Sequence, residues 1–186
     1  DSNLGKNCED QSAPSMQRFS PLQKLLLDEV LKGDSHLLKQ LDPSRCQHSE
    51  WWWEWHSADE DIRFSHENVS RTFLHGHPGL ALSDLIGQLV GNPRDSESIP
   101  ALVAVKRKGV LHVIMGNRRL FCYKEALKKG RNCFFKVIVH EFPDCRGISD
   151  PASRNAFKLK VIQVMSTENH GQEVDFHTSK QCKFYR

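Results

Sequence analysis

Two short apolar runs, one of which leads straight into a glycine turn, restrict the fold of this chain more than any other feature. Residues 102–105 are apolar, residues 111–115 are apolar except for His112, both runs contain valine, and a Lys-Gly pair lies between them. This pattern predicts a β-hairpin. The second run enters the turn 116–119, Gly-Asn-Arg-Arg, after which apolar residues recur at helical spacing over 120–129. The chain therefore requires a sheet with at least one helix packed on it.

The remaining periodic segments complete an α+β domain. Residues 62–64 and 134–139 are predicted strands, and residues 80–89 place leucines and isoleucine on one side of a helix. Residues 157–164 fit a strand or a short helix equally well, and residues 173–176 are expected to form a last strand. The predicted fold class is α+β, a small mixed sheet with packed helices and an N-terminal helical appendage.

The segments outside this domain are polar or irregular. Residues 1–18 are expected to be a disordered lead-in, 19–61 a helical arm with a tryptophan-rich segment, 62–178 the main domain and 179–186 a tail. Helices are expected from Ser20-Pro21 onward and over 36–41; they pack on the main domain, or one of them docks a partner.

Two local signals follow the main sheet. A polar linker is expected after Asp150. Further on, Asn169-His170-Gly171 is a tight-turn signal, in which Gly171 can take a positive φ without steric cost.

The tryptophan-rich segment allows two interpretations. In an extended chain Trp51, Trp53 and Trp55 share one face, because strand side chains alternate. The rings either anchor the arm on the core, where we expect them to be buried, or form an exposed surface for a protein partner. Stacking of nucleic-acid bases is less favoured, since the acidic run 59–61 follows and no basic residue lies among the rings.

The amino-acid composition of the chain is compatible with many classes of protein. The chain is 38% hydrophobic and 26% charged, with a net charge of +3, which is only mildly basic. No apolar stretch approaches the roughly 18 residues of a membrane span, so no membrane partner is predicted. The six cysteines form no C-x-x-C pair; scattered cysteines are typical of free thiols, which favours an intracellular location. His66, His75 and His77 lack completing ligands, so no metal site is predicted.

The turn 116–119 has the chemistry of an anion site. The first N–H groups of a helix are unpaired, and the helix dipole adds partial positive charge. Arg118 and Arg119 can grip phosphate oxygens bidentately, Gly116 allows close approach of a ligand, and Asn117 can donate a hydrogen bond or cap the helix. The alternative is that an arginine lies on the surface or pairs with a carboxylate such as Glu125.

At this point the chain resembles the ParB/sulfiredoxin-like superfamily. The stretch LHVIMGNRRLFCYKEALKKGRNCFFKVIV has that superfamily's order of hairpin strand, glycine corner, helix and strand. It is more similar to an uncharacterised ParB-like branch whose corner is N-R-R-L and which carries a later F-T-T-x-x-x-G-x-x-V segment. VMSTENHGQEVDF stands in that place here, and the resemblance covers roughly residues 62–176.

The resemblance implies a role for Arg71, and the chain also departs from the family pattern at specific positions. It places Arg71 in a loop that faces the corner and closes the site. Sulfiredoxins have a cysteine where this chain has Asn117, and Cys122 falls inside the following helix, so sulfiredoxin catalysis is not expected. Nucleotide-hydrolysing ParB proteins have glutamate at that position, which leaves nucleotide binding expected and hydrolysis in doubt. Their helix-turn-helix is not expected after Asp150.

The sequence therefore predicts a nucleotide- or phosphate-binding domain, with phosphotransfer or hydrolysis left open. The ligand implied is a phosphate-bearing small molecule, such as a nucleoside triphosphate with Mg²⁺. Two alternatives stay open: a non-catalytic module that binds nucleic acid or a protein, and a ParB-like nuclease, although no carboxylate cluster for two-metal chemistry is evident.

Overall fold

The computed structural model describes residues 22–26, 53–72, 80–145, 147–148, 150–165, 167 and 171–176. The strands in chain order are β1 (Glu54–Ser57), β2 (Ile62–Phe64), β3 (Asn68–Val69), β4 (Leu102–Arg107), β5 (Val110–Met115), β6 (Phe134–Glu141) and β7 (Asp175–Phe176). The helices are α1 (Leu82–Gly91), the 3₁₀ helix Pro93–Ser98, α2 (Asn117–Lys128) and α3 (Pro151–Val164), and residues 22–26 are also helical.

Five strands form one mixed sheet in the order β1-β6-β4-β5-β2. β4 and β5 are the predicted hairpin and run antiparallel, as do β1 and β6, whereas β4 with β6 and β5 with β2 run parallel. β3 and β7 pair separately as a two-stranded parallel ladder. The predicted α+β class with a small mixed sheet is confirmed.

Side chains along each strand alternate between the two faces of the sheet, and a hydrophobic layer packs on each face. On one face Leu102, Ala104 and Val113 pack under α1 and α2 with the buried residues Leu85 and Leu120. The other face is covered by α3, with the buried members Val103, Val105, Ile114, Ile138, Phe157, Val161 and Ile162. This three-layer arrangement fixes the end of β5 and the start of α2, where the predicted site lies.

The helical segment 22–26 packs on the α3 side. Leu26 is fully buried there, and the side-chain amide of Gln23 donates to the carbonyl oxygen of Gln163 at 3.1 Å. The predicted helix after Pro21 is confirmed over these residues, and it packs on the domain. The second predicted helix, at 36–41, lies outside the described residues.

Two segments differ from the sequence prediction. The linker expected after Asp150 is wrong, because Asp150 begins α3: its carboxylate accepts the Ser153 N–H at 2.7 Å, and Pro151 is the first helical residue. The undecided stretch 157–164 is the rest of that helix. The sheet also reaches further toward the N-terminus than residue 62, since β1 pairs along its whole length with β6.

The two tryptophan side chains that the structure describes are exposed, although burial was expected. Trp53 and Trp55 are 43% and 47% exposed, so burial is wrong for these two residues. The predicted sharing of one face is confirmed for them, because their ring centroids are 5.2 Å apart. Trp55 lies opposite Lys136 in the β1–β6 register, so the two side chains share one sheet face.

Candidate functional site

The arginine corner, residues 116–119, connects β5 to α2. Gly116 caps the helix with a φ of 104°, a left-handed conformation that favours glycine. A Cβ atom at Gly116 would lie 2.5 Å from Leu102 Cδ2 and 2.9 Å from an Arg119 nitrogen. The glycine is therefore required by close packing within the protein, and this packing brings the helix start against β4.

The start of α2 leaves three donors free of helical bonds. The Leu120 N–H is the first to donate within the helix, to the Gly116 carbonyl at 3.0 Å. No described side chain caps the helix, and its first turn has no acidic residue. The N–H groups of Asn117, Arg118 and Arg119 thus carry the positive end of the helix dipole, with no negative partner in the part of the chain that the structure describes.

The Asn117 side chain binds inside the protein. Its Oδ1 accepts the backbone N–H of Ser65 at 3.1 Å, and its Nδ2 donates to Ser65 Oγ at 2.9 Å. Both residues are buried. The side chain therefore ties the corner to the end of β2, and it neither caps α2 nor points to solvent.

The two arginines are partly buried and have different surroundings. Arg119 Nη1 donates to the carbonyl oxygens of Pro100 and Ala101, the latter at 3.3 Å, so this guanidinium holds the segment that enters β4. Arg118 makes no hydrogen bond or ion pair with the residues that the structure describes. Burial lowers the pKa of both guanidiniums, and no described carboxylate offsets it.

Other basic residues of the domain do have carboxylate partners. Arg63 pairs with Asp61 at 2.9 Å, and Lys128 pairs with Glu125 at 2.7 Å. Glu125 is the acid that the sequence offered as a partner for the corner arginines, and it binds Lys128 instead. The corner therefore concentrates two guanidiniums and a helix start with no described counter-charge.

Arg71 lies against an aromatic pair on the flank of α2. Its guanidinium carbon is 5.1 Å from the centre of the Phe176 ring, and Phe176 makes an edge contact with Phe121 of α2 at 5.1 Å between centroids. Arg71 is exposed, and its carbonyl oxygen accepts the Leu82 N–H at 3.0 Å. The structure thus attaches Arg71 to the helix that carries the corner, through Phe176.

A groove of about 640 Å³ opens at the opposite end of the sheet. It is lined by Glu54, His56, Lys106, Gly109, Leu111, Val139, His140, Glu141, Asp144 and Gly147. Three carboxylates line the groove, and Lys106 Nζ lies 3.5 Å from one of their oxygens, Glu141 Oε1. The groove is acidic, which is the reverse of the arginine corner, and it does not suit the same ligands.

His56 lies between two carboxylates at the side of this groove. Its Nδ1 is 2.6 Å from Glu60 Oε2, and its Nε2 is 3.5 Å from Glu54 Oε2. Burial alone would raise the pKa of Glu60, but hydrogen bonds from His56 and Ser57 lower it below its usual range. Sequence reasoning missed this group because it assigned residues 54–60 to a helical arm, whereas the structure has a strand followed by a turn there.

The cysteine nearest the corner in the chain is chemically shielded. Cys122 lies in α2, as the sequence predicted; it is fully buried, and burial raises its pKa to about 12. Cys133 and Cys145 are also buried and form no disulfide with a described residue. A thiol with so high a pKa is almost entirely protonated at neutral pH and is a poor nucleophile.

No family model matches the chain, and comparisons with curated proteins and with solved structures return no match either. The resemblance to the ParB/sulfiredoxin-like superfamily therefore rests on the sequence motifs. Among the described residues, no helix is both long and apolar enough to cross a membrane. Of the histidines considered as metal ligands, His75 and His77 lie outside the described residues.

Proposed function

We propose that this domain binds a phosphate-bearing ligand, a nucleotide or a phosphorylated small molecule, at the arginine corner. The observation that carries the proposal is the pair of partly buried guanidiniums beside an uncapped helix start, with no carboxylate partner in the described part of the chain. Burial of a charge is costly unless an opposite charge compensates it. A bound phosphate would supply that charge.

The geometry gives each corner residue a distinct role. The guanidinium of Arg118 bonds to no described residue, so its donors are available to contact the phosphate oxygens. One guanidinium nitrogen of Arg119 donates to the backbone carbonyl oxygen of Ala101 just before β4. Its other N–H donors and its positive charge remain at the start of α2. The side chain of Asn117 positions the corner through Ser65, and only its backbone N–H is left for a ligand.

The order of elements around the corner supports assignment of the domain to the ParB/sulfiredoxin type. A hairpin strand runs into the glycine corner, the corner into α2, and α2 into a strand parallel to the first hairpin strand. In that superfamily such corners bind nucleotides or phosphates. We propose the binding function alone, because Asn117 replaces the family's acidic or cysteine group and its side chain is occupied.

A thermal-shift experiment with and without Mg²⁺ tests this function. The ligands are inorganic pyrophosphate, ATP and GTP, and adenosine is the matched control without phosphate. A ligand at one hundred times its dissociation constant adds about 2.7 kcal/mol to the free energy of unfolding. Stabilisation by at least one phosphate compound and none by adenosine is expected. Equal stabilisation by adenosine, or no shift with any phosphate compound, would contradict the proposal.

A further inference from the structure

The exposed rings of Trp53 and Trp55 meet nearly at a right angle. Their planes are inclined by 80° and their centroids are 5.2 Å apart. Lys136 lies directly opposite Trp55 in the β1–β6 register, and its Nζ is 4.9 Å from the Trp53 ring centre and 5.5 Å from that of Trp55. These three residues form an aromatic notch in which two ring faces already hold one cation.

The ring faces of tryptophan attract cations because their quadrupole is negative at the face. Two faces at right angles are two walls of the aromatic cages that bind methylated ammonium groups. Lys136 is half-buried, and its primary ammonium is strongly hydrated, so burial against the rings costs it hydration. A methylated ammonium has less hydration to lose and more surface to place against the rings.

The backbone beside the notch lies at a sheet edge with no further strand of the described residues paired to it. β1 is the outermost strand of the five-stranded sheet among the described residues. The Ser57 N–H donates to Glu60 Oε1 at 2.8 Å, whereas the next N–H, that of Ala58, donates to the Cys133 carbonyl beyond β6 at 3.1 Å. Because strand N–H groups alternate in direction, the Trp55 N–H also points to the outer edge.

We propose that a partner polypeptide adds to the outer edge of β1 as a strand and inserts a methylated lysine into the aromatic notch. A residue of the added strand opposite Trp55 projects from the same sheet face as Trp55, at the cross-strand spacing that Lys136 has on the other side. The main-chain hydrogen bonds would supply affinity, and the notch would supply selectivity for the cation. The site is separate from the arginine corner and does not depend on the phosphate ligand.

Intrinsic fluorescence is a direct readout of this surface. All four tryptophans of the chain lie within residues 51–55, so any change in emission reports on this segment. The probes are three extended peptides of alternating threonine and valine whose central residue is trimethyl-lysine, lysine or norleucine. Trimethyl-lysine should bind more tightly than norleucine by between about twofold and thirtyfold, the range of cation–π energies. Equal affinity for the trimethyl-lysine and norleucine peptides would overturn the proposal.

Substitutions test whether the notch gives this preference. Trp55→Ala should abolish the preference for trimethyl-lysine, and Trp55→Phe should restore part of it. Phe134→Ala is the matched control, because Phe134 is an exposed aromatic residue on β6 with no described cation over its ring, and it should keep the preference. Lys136→Met retains the apolar stem but removes the competing charge, and it should tighten binding. A preference that survives Trp55→Ala in a folded protein, verified by circular dichroism, would overturn the proposal.

The affinity of free choline shows whether the notch alone binds the ligand or whether an added strand contributes to binding. Choline should bind more tightly than its neutral isostere 3,3-dimethyl-1-butanol, but more weakly than the trimethyl-lysine peptide. Methylation of the peptide backbone nitrogens that face β1 should remove the peptide's advantage, because those groups form the added ladder. Choline that binds as tightly as the peptide would show that no strand is added.

Discussion

Asn117 and Ser65 form a buried two-point contact that joins the start of α2 to the end of β2. The amide oxygen accepts the Ser65 N–H at 3.1 Å, and the amide nitrogen donates to Ser65 Oγ at 2.9 Å. Asn117→Ala should lower the free energy of unfolding by about 1–3 kcal/mol, because it leaves a buried donor and a buried acceptor unpaired. Urea denaturation measures the loss.

A double-mutant cycle separates this contact from other effects of the substitution. Adding Ser65→Ala to Asn117→Ala should cost less than the sum of the two single losses, since the partner of each group is already gone. Strictly additive losses would show that the two side chains do not interact, and that the corner is held by other contacts.

Gly171 should be far more sensitive to alanine than Gly130. Both have positive φ values, of 73° and 79°. A Cβ atom at Gly171 would overlap the carbonyl oxygen of Phe64, whereas one at Gly130 would meet no atom within 4 Å. Gly130→Ala should cost only the left-handed backbone strain, about 1–2 kcal/mol. Gly171→Ala should cost more, measured as a larger fall in the urea midpoint; equal falls would contradict this packing.

The sequence predicted the elements whose signals are local. The hairpin 102–115, the helix after the corner and the positive φ of Gly171 each depend on neighbouring residues, and the structure has all of them. The start of α3 had a local signal too: Asp150 before Pro151 is an N-cap with proline at the first helical position. Alternating apolar residues later in that segment obscured the helical period.

Contacts between residues far apart in the chain could not be predicted from the sequence. The groove joins Glu54 and His56 to Lys106 and Glu141, and these meet because β1 pairs with β6 and β6 with β4. The exposure of Trp53 depends on which elements cover that part of the sheet, which no local pattern reveals. Likewise, the four corner residues were identified, but the attachment of the Asn117 side chain to Ser65 depends on residues 52 positions apart.

His112 should make the fold less stable in mild acid. Burial, together with Arg63 and Arg107, lowers its pKa below the usual value of about 6.5. The unfolded chain then binds the proton more readily, so stability falls as pH drops through about 6.5 and stops falling below the folded-state pKa. His112→Gln should flatten this part of the profile in urea unfolding between about pH 7.5 and about pH 5. An unchanged profile would contradict the burial effect.

Alanine substitutions at Arg118 and Arg119 should affect the stability of the fold to different extents. Arg119 binds the carbonyl oxygens of Pro100 and Ala101, so Arg119→Ala should lower the unfolding free energy by about 1–3 kcal/mol. Arg118 has no such contact with the described residues, so Arg118→Ala should leave the unfolding free energy within about 0.5 kcal/mol of the wild type. Denaturation of both variants without ligand measures the difference. Equal destabilisation would show that Arg118 has a structural partner.

The most direct test of the arginine corner is the dissociation constant of the phosphate compound that stabilises the protein best, measured by titration calorimetry. Arg118→Ala should weaken binding by about tenfold to a hundredfold, because it removes a charge-assisted contact, and Arg118→Lys should recover only part of the loss. Arg131→Ala is the control, since Arg131 is exposed beyond the other end of α2. Wild-type affinity in Arg118→Ala, or an equal loss in Arg131→Ala, would contradict phosphate binding at the corner.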